Sequence, residues 1–176
     1  MSSFPPSPPP MPPGYQAYVA APAYQFASWG ARVGGHLLNG LVSGLFAIPA
    51  FIAVFTAPRD TKFCTHAEEL RTCEVPTTVG WVIIFGLALI GAIAFVTLYG
   101  RAIAKSGQFV GHKAAGVRII DASTGDNIGA WKAIFRFFLG HWIDGAFCYL
   151  GYLWPLWDKD KQTWSDKIFG TYSITA

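Results

Sequence analysis

Two uninterrupted runs without a single Asp, Glu, Lys or Arg, Val33 to Pro58 and Val75 to Gly100, set the frame for everything else in this chain. Each is 26 residues long. A helix needs about 20 apolar residues to cross a bilayer's hydrocarbon core. The runs therefore predict two membrane spans, the first at about 36–57 and the second over about 79–99, with Trp81 and Tyr99 where interfacial aromatics belong. Pro49, which removes a backbone donor, is expected to kink the first. Composition agrees: of 176 residues 52% are apolar and only 13% charged, about half the charged share of soluble domains.

Several function classes drop out early. A net charge of +3 without a basic stripe gives nucleic acid nothing to bind. No hydrolase elbow, phosphate loop or dinucleotide fingerprint occurs, so no enzyme, cofactor or metal site is expected. Cys64 and Cys73, nine apart with only His66 between them, lack zinc-site spacing and are read as a disulfide facing an oxidising compartment. The first residues have neither basic start nor apolar core, so the first span is expected to act as its own insertion signal.

The chain divides into a charge-free tail, 1–27, and a membrane domain, 28–176. Pro5, Pro8, Pro9 and Pro12 make the tail a spacer of polyproline character, or a ligand for a groove that reads such helices. Between the second run and residue 132, Gly116–Asp121 alternates β-branched residues and ends in a turn cluster. Gly170–Ala176 has the same period of two, and the two pieces are expected to pair. Pairing puts both on one face of the membrane. The stretch 133–157 must then enter and return, as a re-entrant hairpin or paired half-spans, since two full crossings need about 40 residues. This arrangement puts ten basic residues on the face holding both termini and three, Arg59, Lys62 and Arg71, on the other. The positive-inside rule makes the first face cytoplasmic. The fold class is thus an α-helical integral membrane protein with two full spans, a shorter hairpin and a small cytoplasmic β element.

Polar residues inside apolar segments are the candidate site. Arg32, His36, Asn39 and Ser43 recur on one helical face, either lining a polar path or bonding neighbouring helices, with Gly40 and Gly44 allowing close approach. His141 and Asp144, three apart, can meet and relay a proton, or simply sit hydrated at the interface. Asp166, just before an apolar stretch, is placed to reach Arg32.

Arg32, the run Gly107-Gln108-x-x-Gly111-x-Lys113-x-x-Gly116, and Gln162-Thr163-x-x-Asp166-Lys167-x-x-Gly170-Thr171 together resemble the RDD family of bacterial membrane proteins. Arg32 matches the family's arginine and Asp166 its later aspartate, whereas Asn39 stands where the first aspartate is usual. The resemblance implies a cell-membrane protein that serves in transport of a small ligand or cation, as part of a homo-oligomer or with other membrane proteins. Asparagine carries no titratable proton. A proton- or cation-carrying role is then lost or passes to Asp144 or His141; the alternative is a non-catalytic interaction or assembly component with a proline-rich docking tail.

Overall fold

The computed structural model describes residues 24–66 and 69–176. The prolines at 5, 8, 9 and 12 lie outside the described residues.

The two charge-free runs form α1 (Trp29–Thr56) and α2 (Thr78–Ser106). Both are apolar enough to cross a membrane. Neither coincides with its run: α1 begins before Val33 and ends before Pro58, and α2 begins after Val75 and continues past Gly100. At 1.5 Å per residue, 28 residues span about 42 Å against a core of about 30 Å. Ser28 caps α1 by accepting from the Ala31 amide at 3.2 Å, and Thr77 caps α2 through Gly80 at 3.0 Å. α1 continues as a helix through Pro49. The two helices cross where Gly91 meets the Phe46 carbonyl, so closely that a Cβ there would come within 2.2 Å of the oxygen. Gly40 and Gly44, expected to provide that approach, face open space. The small residue needed at the crossing is on the partner helix, beside a phenylalanine.

Between the two helices, β1 (Arg59–His66) and β2 (Glu69–Pro76) pair antiparallel as a hairpin. Cys64 and Cys73 are joined across it as a disulfide, Cα atoms 6.1 Å apart.

α2 ends at Gly107, whose φ of 71° is a left-handed cap. A short helix, α3 (Val110–Ala114), leads into β3 (Val117–Asp121). β3 pairs antiparallel with β4 (Thr171–Thr175), from Val117 opposite Thr175 to Asp121 opposite Thr171, the pairing expected from their alternation. Residues 25–27 join the other edge of β4, with Ala27 N donating to Ser173 O at 3.0 Å and Thr175 N to Gln25 O at 2.8 Å. The chain entering α1 therefore runs beside β4, bridged at Phe26 and Ile174.

α4 (Ala130–Leu153) runs along α2, its Phe137 packed at tilted angles against Phe95 and Tyr99, beside the main core that holds Ile103, Phe109 and Ile119. Beyond residue 147 the chain doubles back. Cys148 and Tyr149 have φ of 57° and 63°, left-handed values that strain non-glycine residues. Gly151 then lies against Asp144, where a Cβ would come 2.5 Å from the Asp144 Cα. The turn thus falls at Cys148 and Tyr149, between Gly145 and Gly151. Gly140 and Gly151 serve close packing, the former beside Ser165. A 3₁₀ turn (Trp154–Leu156) leads to α5 (Trp164–Phe169), which packs on α4.

Candidate functional site

α5 is six residues long and begins with a capping box: Thr163 Oγ1 accepts from the Asp166 amide at 3.1 Å, and Asp166 Oδ2 accepts from the Thr163 amide at 3.3 Å. The same carboxylate is fully buried and meets two guanidinium groups. Arg136 donates from Nε at 3.1 Å and Nη2 at 2.7 Å to Oδ1, while Arg32 Nη1 lies 3.4 Å from Oδ2. Thr171 Oγ1 donates to Oδ1 at 2.7 Å. Arg32 spends its other nitrogens on the carbonyls of Ala27 (3.1 Å) and Ser173 (2.9 Å). One aspartate therefore ties together α1, α4, α5 and β4. Burial alone would raise its carboxyl pKa, but Arg136 and then Arg32 outweigh it and hold the group below the ordinary carboxylate range.

The remaining motif residues support this knot. Gln162 Nε2 donates to Thr171 O at 2.9 Å, Gly170 closes α5 with φ of 56°, and Gln108 Nε2 donates to Val117 O at 2.9 Å. Arg136 belongs to no motif of the sequence and falls among the ten basic residues of the face expected to be cytoplasmic. Its signal was a guanidinium inside Phe135-Arg136-Phe137-Phe138, a cation that an apolar segment holds only with a partner.

The four-residue stripe on α1 does not face one path. Arg32 turns to the sheet, and Ser43 meets a largely apolar cleft between α1, α2 and α4. Asn39 is 2% exposed. Its Oδ1 accepts from the Gly111 amide at 2.7 Å, and its Nδ2 lies 3.4 Å from the His112 ring. Asn39 thus holds α3 against α1. Burial, followed by the neighbouring His36 and Arg136, lowers the His112 pKa to about 3 from the ordinary 6.5. A histidine depressed in the fold contributes its stability in full above about 6.5 and loses it as pH falls from there toward 3. Between pH 7 and pH 5 this amounts to about 2 kcal/mol. Melting scans of wild type and His112→Gln at those two pH values should show the larger acid-induced drop in wild type; equal drops would remove His112 as the cause.

His36 is exposed on the chain's surface, its ring 5.9 Å from that of His112 and 6.0 Å from that of Tyr152. His141 Nδ1 and Tyr152 Oη are 3.0 Å apart across the reversal. His141 and Asp144 do not bond each other among the described contacts. Asp144 is 2% exposed and accepts from the Ser165 amide at 2.9 Å and from the Ser165 hydroxyl. His36, His141, Tyr152, Asp144, Arg136, Thr163 and Ser165 line a cavity of about 40 Å³, which exceeds the roughly 10–15 Å³ one water needs.

Two apolar helices of spanning length, with a polar interior tied by a buried Arg–Asp–Arg cluster, define a helical membrane protein. The chain belongs to the RDD family, which residues 26–170 match. Among curated relatives it is similar to the proline-rich antigen of Mycobacterium leprae, 28% identical over 90% of this chain and 64% of that protein. It is also similar to the proline-rich antigen homolog of Mycobacterium tuberculosis, 31% identical over 56% of this chain and 41% of the relative. The matches thus cover less than two thirds of either relative's length. No solved structure matches.

Proposed function

We propose that this protein is a multi-pass component that moves a small cation or ligand in exchange for a proton at Asp144. The observation that carries the reading is the surroundings of that carboxylate. It is buried, its hydrogen bonds come from Ser165 alone, and no cation is salt-bridged to it among the described residues. Around the same small cavity stand His36, His141 and Tyr152, groups that can pass or accept a proton. Asp166, by contrast, is saturated by two arginines, a threonine and its own helix cap, and is a poor carrier.

The same reading takes α4 and its return as a re-entrant segment, shielded by α1 and α2, because irregular backbone at membrane depth needs protein or a wet cavity around it. The adjacency of residues 25–27 and β4 supports placing both termini on one side, and ten basic residues there against three in the disulfide hairpin support a cytoplasmic side. A cavity of about 40 Å³ is too small for a continuous path, so further copies of the chain complete it.

The test is flux in liposomes that hold a pH dye, under sodium, potassium and lithium gradients, for wild type and Asp144→Asn. Proton movement that requires a cation in wild type and falls to the level of empty vesicles in the variant is the expected result. Silence from folded, correctly oriented wild type overturns it. One observation favours a second reading as an assembly component: the position where the family's first aspartate is usual holds Asn39, whose polar atoms are occupied in docking α3. That reading predicts no flux and a protein partner that needs the tail or the β element.

A further inference from the structure

α2 does not stop where its charge-free run stops. Arg101 is the first charged residue after Gly100, and the helix continues from it to Ser106. At 1.5 Å per residue that stretch is about 9 Å, enough to cross the roughly 5–8 Å of headgroup region on one side of a bilayer. The start of α4 marks the same level. Its Ala130 carbonyl and Ile134 side chain lie against Gly100, where a Cβ would meet them at 3.4 and 2.9 Å. Trp131, beside Ala130, is 74% exposed. A tryptophan, the residue favoured at headgroup depth, therefore stands where α2 emerges.

Charge at this level is unbalanced. Residues 101–130 hold four cations, Arg101, Lys105, Lys113 and Arg118, against two carboxylates, Asp121 and Asp126. Lys132 already bridges Asp121 at 2.6 Å. None of the four cations is salt-bridged among the described residues, whereas Arg32, Arg136, Lys132, Lys159 and Lys167 all are.

Three of the four gather at the end of α2. Arg101 and Lys105 are one turn apart and exposed. Arg118 is brought to them from β3: its Nε and Nη2 donate to Asn127 Oδ1 at 3.2 and 2.8 Å, and Asn127 Nδ2 donates to the Lys105 carbonyl at 3.0 Å. Gly107 leaves room for this, since a Cβ there would lie 2.7 Å from Arg118 Cγ. The guanidinium is thus held at the helix end with Nη1 unpartnered among the described residues. The carbonyl end of α2 offsets about half of one positive charge, and Asp126, next to Asn127 in the chain, offsets one more. The remainder has no counter-charge in the protein.

We propose that Arg101, Lys105 and Arg118 form a binding site for the phosphate headgroup of an anionic phospholipid, in the leaflet where α2 emerges and with Trp131 at the same depth. Position selects lipid as the source, because these cations follow directly on a membrane-spanning run, and phosphate oxygens match guanidinium and ammonium donors. The site depends on neither the side assigned to the termini nor flux at Asp144.

The experiment uses the full chain in nanodiscs of equal parts phosphatidylglycerol and phosphatidylcholine, with native mass spectrometry counting the lipid that stays bound. Wild type should retain phosphatidylglycerol in preference, and rising salt should erode the preference. Each cation near a lipid surface favours an anionic headgroup about fivefold, so Arg101→Gln with Lys105→Gln should cut the preference about 25-fold. Neither side chain bonds the protein among the described residues, so the variant should melt with wild type in phosphatidylcholine alone. Lys159→Gln with Lys161→Gln removes the same charge elsewhere and should leave the preference unchanged. Soluble glycerol phosphate should not displace the lipid. Equal retention of the two lipids by wild type, equal losses in the two double variants, or displacement by glycerol phosphate would each overturn the proposal.

Discussion

Asp166→Ala should leave the protein unable to hold its fold, the largest loss expected of any single substitution at the polar cluster. Removing the carboxylate leaves Arg32 and Arg136, both 7% exposed in their side chains, facing each other without a counter-ion. Breaking a buried pair in this way costs about 3–5 kcal/mol. The same change deletes half of the α5 capping box, about 1 kcal/mol more. Thermal unfolding in nanodiscs should show the variant melting far below wild type or failing to accumulate. Asp121→Ala is the control. Its partner Lys132, at 2.6 Å, is 32% exposed, and partly solvated pairs contribute about 0–1 kcal/mol. A triple variant, Asp166→Leu with Arg32→Met and Arg136→Met, should recover much of the stability, since apolar packing can replace a buried ion cluster without leaving a bare charge. If Asp166→Ala melted with wild type, the cluster would not be what joins the four elements.

The parts of this architecture that could be read from residues alone are those in which one local pattern decides. Charge-free length marks both long apolar helices, and alternation marks the strands 117–121 and 171–175 that do pair. Alternation is a property of a single segment. The cluster is not: Asp166, Arg136 and Arg32 are up to 134 residues apart, and only the fold shows that the tighter partner of Asp166 is Arg136. The stripe on α1 illustrates the limit of periodicity. Its members share a face, yet α3 covers Asn39 while β4 and α5 cover Arg32, so one face divides among three neighbours. Glycine spacing misled for a related reason. Gly40-x-x-x-Gly44 is a pattern of one helix, whereas the crossing selects Gly91 on the other, and the hairpin β1–β2 lies in a polar stretch with no buried face to impose an apolar alternation.

Gly111→Ala tests whether α3 is seated on α1 as closely as the polar contacts imply. A Cβ at that position would lie 2.3 Å from the Gly35 carbonyl oxygen, 2.6 Å from Asn39 Oδ1 and 2.7 Å from the Asn39 nitrogen. Two of those atoms are main chain of a spanning helix, so α3 must move away. Overpacking of this kind costs about 1–3 kcal/mol. Displacement also breaks the 2.7 Å bond from the Gly111 amide to Asn39, leaving a buried amide oxygen without its donor, another 1–3 kcal/mol in order of magnitude. Gly35→Ala, on the facing surface, meets its nearest neighbours at 3.4–3.5 Å, ordinary contact, and should be tolerated. Gly34→Ala meets nothing within 4 Å and should be neutral or stabilising by up to about 1 kcal/mol, since alanine is the better helix former. The readout is a set of three melting curves with hydrogen exchange at residues 109–115. A large drop with faster exchange in Gly111→Ala alone fits the close crossing. Three similar curves would mean that α3 rests loosely on α1, and the role assigned to Asn39 as its clamp would fail with it.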